Sequence, residues 1–153
     1  MEPAVNVRGK WKGWKYQMAV YCISLLFLAL LAREDIREKR ISAYKIVGFA
    51  GAAVLYLMAE GQLDWGEIMR SLLPGGLLLL LAFFTRESIG YGDGAAVAAL
   101  GLWTGGWFAM MTVAAGIMLA GAYGMVCLFK KKKELIPFLP FLLLGMEVAL
   151  FYA

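Results

Sequence analysis

Residues 94–129 read GAAVAALGLWTGGWFAMMTVAAGIMLAGAYGMVCLF, thirty-six positions without a charged side chain. As one helix, at 1.5 Å per residue, this run measures about 54 Å, well beyond the roughly 30 Å hydrocarbon core of a bilayer. It must therefore fold back on itself. Thr104-Gly105-Gly106 is the best turn signal inside it. The spacing predicts a short span before that turn and a longer one after it.

The rest of the chain has the same character. Of its 153 residues, 62% are hydrophobic and 17% are charged, and the mean hydropathy is +0.72. Soluble domains carry about 45–50% apolar and about 25% charged residues. Upstream of residue 94, uncharged or nearly uncharged runs cover Tyr16 to Ala32, about Ala43 to Ala59 and about Ile68 to Phe84. Downstream, a last run covers about Leu135 to Ala153. At roughly 20 residues per crossing, the chain is expected to be an all-α, polytopic membrane helix bundle of about six transmembrane helices. It forms a single membrane-embedded domain over residues 1–153, with residues 1–15 as a polar interfacial tail. The first run lacks the small-residue cleavage site of a signal peptide and reads as a retained span.

Composition also excludes functions. The net charge of +4 does not mark a nucleic-acid surface, because the basic residues sit in clusters between apolar runs, where they record orientation. The chain has no histidine, which removes Ser-His and Cys-His catalysis and His-ligated zinc. Cys22 and Cys127 are far apart inside apolar runs and read as core or lipid-facing residues.

Orientation follows from the basic residues. One side carries Arg33, Arg37, Lys39, Arg40, Lys45, Arg86 and Lys130 to Lys133; the other carries Arg8, Lys10, Lys12, Lys15 and Arg70. Ten against five puts the first side in the cytoplasm of a multi-pass protein of the plasma or inner membrane. The same side holds Asp35, in the dense charged loop 33–40, and Asp93, in Gly90-Tyr91-Gly92-Asp93-Gly94. An acid in such a loop is ordinarily just solvated, and glycines at helix ends are ordinarily caps or packing contacts. The alternative is chemical. Two carboxyls brought within a few ångströms cannot both ionise easily, so they share a proton. One then activates a water as general base, while the other polarises a carbonyl and protonates the leaving nitrogen. That chemistry needs no metal and no cofactor. The glycines are expected to take positive φ and to leave room for a substrate backbone beside Asp93.

Three stretches carry a family resemblance. Gly90-Tyr91-Gly92-Asp93 matches a G-x-G-D element. Asp35-Ile36-Arg37-Glu38-Lys39-Arg40-Ile41 is similar to a first-aspartate element followed by a basic run. Ile136-Pro137-Phe138-Leu139-Pro140-Phe141-Leu142 is similar to a Pro-Phe-Gly-Pro-Phe stretch. In this order the chain resembles the type IV prepilin peptidase family of membrane aspartic proteases, from about residue 17 onward. The resemblance implies catalytic Asp35 and Asp93, with Gly90, Gly92, Gly94, Pro137 and Pro140 around the active site. It implies a prepilin or pseudopilin substrate, cleaved after a short basic leader at the cytoplasmic membrane edge, with its apolar helix in a groove facing the spans.

Departures mark a divergent branch: Ser42-Ala43, Gly94-Ala95 and Leu139 stand where the family has Pro-Asn, Val-Lys and Gly. Larger members carry an N-terminal domain with paired cysteines linked to methylation. The present chain is expected to be a peptidase without that activity.

Competing readings are a non-enzymatic transporter or channel subunit, which the apolar span interiors disfavour, and an inactive pilus-assembly factor. Presenilin-like proteases share G-x-G-D but place the first aspartate within a span beside Tyr, whereas Asp35 follows Glu34. Glu34, Glu38 and Glu87 are candidates to meet a basic leader. Trp65, Trp103 and Trp107 read as interfacial anchors. Glu147, deep in the last span, reads as a structural polar contact or a functional acid. The oligomeric state leaves no signal in the sequence.

Overall fold

The computed structural model describes residues 7–38, 41–61, 64–84, 90–130 and 136–152, with side chains from Lys15 onward. They form six helices: α1 (Val7–Glu38), α2 (Ala43–Ala59), α3 (Trp65–Phe84), α4 (Tyr91–Thr104), α5 (Gly106–Phe129) and α6 (Leu139–Tyr152). The described residues contain no strand, so the fold is the all-α bundle expected. Lys15–Glu38 of α1, α3 and α5 are each long and apolar enough to cross a membrane, and α2 and α6 are shorter apolar helices. Leu26, Val47, Leu80, Phe83, Met118 and Leu128 all point outward and are exposed. An apolar outer surface of this extent is a lipid-facing one. The chain is a membrane protein.

Local chemistry sets the helix ends. Asp64 accepts the Gly66 N–H on Oδ1 at 3.1 Å and the Ile68 N–H on its carbonyl at 3.0 Å, which starts α3 at Trp65. Gly105 has φ +88 and separates α4 from α5, at the turn expected from Thr104-Gly105-Gly106. The last helix starts at Leu139, later than the run from about Leu135 suggested. Ile136 precedes Pro137 and is held out of the helix. Pro140 lies in the first turn of α6, where a missing N–H breaks no intrahelical bond.

The central helix is α4, which packs against α1, α2, α3 and α5. Ala96, Val97, Ala99, Leu100 and Gly101 are buried on several of its sides. A helix enclosed in this way can carry only small residues at its closest contacts. A Cβ at Gly101 would strike the Ser71 carbonyl, and one at Gly75 would come within 2.5 Å of Ala98. Pro74 has no N–H to give the Arg70 carbonyl, and that carbonyl lies against Gly106. Helix α6 completes the bundle against α5 and α1. There a Cβ at Gly145 would approach the Thr112 carbonyl to 2.5 Å. In lipid, whose tails are as apolar as the helix surfaces, such close packing replaces the hydrophobic effect as the force between helices.

Two expectations for single residues change. Trp65 and Trp107 are exposed, at 74% and 80%. Trp103 is half-buried instead: its Nε1–H donates to the Phe49 carbonyl at 3.0 Å, and its ring stacks on Phe49 and Tyr56. It locks α4 to α2 rather than anchoring at an interface. Glu147 is exposed on the outer side of α6, with no hydrogen-bond or ion-pair partner among the described residues. It makes no structural polar contact of the kind expected.

Candidate active site

Helix α1 does not stop at the end of its uncharged run. It continues to Glu38, so Asp35 stands on a helix and not in a loop. Leu28, Leu31 and Ala32 are buried, and Asp35 follows them at i+7, i+4 and i+3, on the same inward stripe. Asp93 occupies the matching place on α4. It lies in the first turn, with buried Ala96, Val97 and Leu100 at i+3, i+4 and i+7. Each helix thus extends its core-facing stripe by one acid, at the end of the bundle where α1 stops and α4 starts.

The surroundings of the two acids differ. Asp93 is 6% exposed. Asp35 is half-buried, and its Oδ2 accepts the Leu139 N–H at 3.4 Å. Leu139 is the first residue of α6, so the Pro137–Pro140 stretch brings a free helix N-terminus onto Asp35. Asp93 itself precedes the uncharged run that starts at Gly94. Its pKa is pushed up to about 7, first by burial and then by the charge of Asp35, while a backbone hydrogen bond from Gly90 acts the other way. Asp93 therefore lies within electrostatic reach of the Asp35 charge.

This shift has a consequence for stability. Below about pH 4 Asp93 is protonated whether the chain is folded or not, and burial of the carboxyl carries no charge penalty. As pH rises from about 4 to about 7, the unfolded chain releases the proton and the folded chain keeps it, so stability falls. Asp93→Asn removes the penalty. Thermal unfolding in neutral detergent is expected to show this variant more stable than the parent at pH 8, by as much as about 4 kcal/mol, and equal to it at pH 4. Equal stability at both pH values would mean that Asp93 is not buried in the folded protein.

The glycines act differently from expectation. Among the described residues, the positive-φ glycines are Gly61 and Gly105, and none lies beside Asp93. Gly90 is extended, at φ −66 and ψ 137, and Gly92 and Gly94 belong to the first turn of α4. A Cβ at Gly92 would meet Ile41 at 2.9 Å, and one at Gly94 would meet Leu79 at 2.7 Å. Protein therefore fills both places. Gly90 alone is exposed and faces the carboxyl, with Asp93 Oδ2 3.4 Å from a Cβ built there.

Sequence reasoning missed one pair. Lys45 Nζ binds Glu34 Oε1, joining the end of α1 to the start of α2. In the sequence Lys45 serves only as a mark of orientation, and Glu34 is left free for a basic leader. Glu34 Oε2 is buried with no hydrogen-bond partner among the described residues. The 11-residue separation of Glu34 and Lys45 carries no local signal. Of the other candidate acids, Glu38 is exposed and Glu87 lies outside the described residues, as do Arg86 and Lys131 to Lys133.

An all-helical bundle with a lipid-facing exterior, carrying at one end two carboxyls, one within electrostatic reach of the other, has the make-up of a membrane-embedded hydrolase. The chain belongs to the type IV leader peptidase family, whose model matches residues 9–125. The matched residues include Asp35 and Asp93 and stop short of Pro137 and Pro140. No curated protein and no solved structure matches the chain.

Proposed function

We propose that the protein removes the short basic leader from type IV prepilin or pseudopilin precursors at the cytoplasmic edge of the membrane, with Asp35 and Asp93 as its catalytic pair. The observation that carries this reading is the placement of both acids on inward helix stripes, with the charge of one raising the pKa of the other.

Asp93, more buried, holds the shared proton; Asp35, half-buried and beside the Leu139 N–H, carries the negative charge. Asp35 takes a proton from a water as the water oxygen bonds to the scissile carbonyl carbon. Asp93 donates its proton to the carbonyl oxygen, which stabilises the charge developing there. As the tetrahedral gem-diol collapses, the proton gained by Asp35 passes to the leaving nitrogen, one hydroxyl proton returns to Asp93, and the C–N bond breaks to leave a carboxyl and an amine. Gly90 is the open edge beside Asp93 and supplies room for the substrate backbone. Pro137 and Pro140 act indirectly, by delivering the α6 N-terminus to Asp35.

The excess of basic residues on the side of the two acids supports a cytoplasmic active site in a multi-pass protein. The test uses the full chain in liposomes with a precursor that has a basic leader and an apolar helix. The expected product starts at the first residue of the mature segment, as read by mass spectrometry of its new N-terminus. An intact precursor, or a cut inside the apolar helix, would overturn the reading.

A further inference from the structure

A groove of about 460 Å³ runs between α1 and α6. Ala32 on α1 and Pro140, Leu143 and Leu144 on α6 give it an almost wholly apolar lining, and Arg33 and Arg37 belong to its wall. The two arginines are one turn apart near the C-terminal end of α1. Both are exposed, and neither has an ion-pair partner among the described residues. An apolar channel flanked by two guanidiniums that have no ion-pair partner among the described residues matches a molecule with a hydrocarbon tail and an anionic head. Guanidinium forks bind phosphate oxygens in pairs.

We infer that this groove is a binding site for an anionic phospholipid, its phosphate on Arg33 and Arg37 and one acyl chain along Ala32, Leu143 and Leu144. Two observations set this occupant above the apolar helix of a substrate. At about 100° per residue, Arg33 and Arg37 lie about 160° around α1 from Asp35, so the charged end of the groove points away from the acids. A basic leader is also repelled by the arginines. The choice of lipid over substrate rests on the peptidase reading, the site itself on the groove and its two arginines, and its test does not use cleavage.

The full chain in neutral detergent is offered equal amounts of phosphatidylglycerol and phosphatidylcholine, and bound lipid is counted by native mass spectrometry. The parent is expected to retain the anionic lipid with about tenfold preference. Arg33→Gln with Arg37→Gln should abolish that preference, and Leu143→Trp, which fills the groove while keeping both charges, should lower it at least severalfold. Replacing Lys130 to Lys133 by Gln should leave it intact. Three results would overturn the site: an unchanged preference in the double Arg variant, loss of preference only in the Lys variant, or displacement of the lipid by millimolar inorganic phosphate. Displacement by an apolar peptide carrying the sequence of a precursor helix would overturn it too, and would assign the groove to the substrate.

Discussion

Asp93→Asn is expected to lower the cleavage rate of a precursor by about a thousandfold or more while the bundle stays folded. General acid–base groups contribute typically 10²–10⁴-fold, and Asn keeps the shape of the side chain while losing the transferable proton. Asp35→Asn should cost a similar factor, because in the proposed mechanism the pair divides one proton between two sites and neither acid serves alone. The double variant should be little worse than either single one, as groups acting as a unit give non-additive losses. Single-turnover cleavage in liposomes, with folding checked by thermal unfolding, measures all three. If either single variant keeps parental activity, the two-carboxylate mechanism is wrong. Because Asn at position 93 also removes a buried charge, lost activity in a protein made more stable at pH 8 separates a chemical role from a structural one.

The second large effect concerns packing. Gly101→Val is expected to destabilise the protein by about 3 kcal/mol or more, at the upper end of what overpacking costs. The added carbons meet the Ser71 carbonyl, which is backbone and cannot turn aside as a side chain can. The helices α3 and α4 must separate, and the neighbouring contact of Gly75 with Ala98 opens with them. Gly121→Ala is the control: nothing lies within 4 Å of a Cβ at that position. There the change should be neutral or stabilising by up to about 1 kcal/mol, since Ala restricts the unfolded chain and favours a helix. Thermal unfolding in one detergent compares the two. Equal midpoints for Gly101→Val and the parent would show that α3 and α4 do not meet closely there.

Much of this is legible in the chain itself. The uncharged length of residues 94–129 requires a turn, and Gly105 supplies it with the one backbone geometry that other residues avoid. The two acids can be picked out, but the loop setting expected for Asp35 is wrong. A dense run of charges reads as a loop, whereas the 28, 31, 32, 35 spacing carries the inward helical stripe through that run. That spacing is present in the sequence and outweighs composition. Other features have no local signature. Trp103 finds Phe49, 54 positions away, and Glu34 finds Lys45 across a helix boundary. Pairings of this kind depend on which helices become neighbours, which periodicity does not specify. The role of Gly92 and Gly94 escapes the sequence for the same reason: Ile41 and Leu79 occupy the space left by their missing side chains.

The brevity of α4 has a consequence for the surrounding lipid. Fourteen residues rise about 21 Å, some 9 Å less than an average hydrocarbon core is thick. A short helix held at the centre of longer ones leaves a hydrophobic mismatch, met by local thinning of the bilayer or by water drawn down to the helix end. Asp93 stands at one end of this helix. The same shortness that lets α4 sit enclosed among its neighbours brings its end, and with it Asp93, toward water, and in the proposed mechanism that is where the attacking water enters.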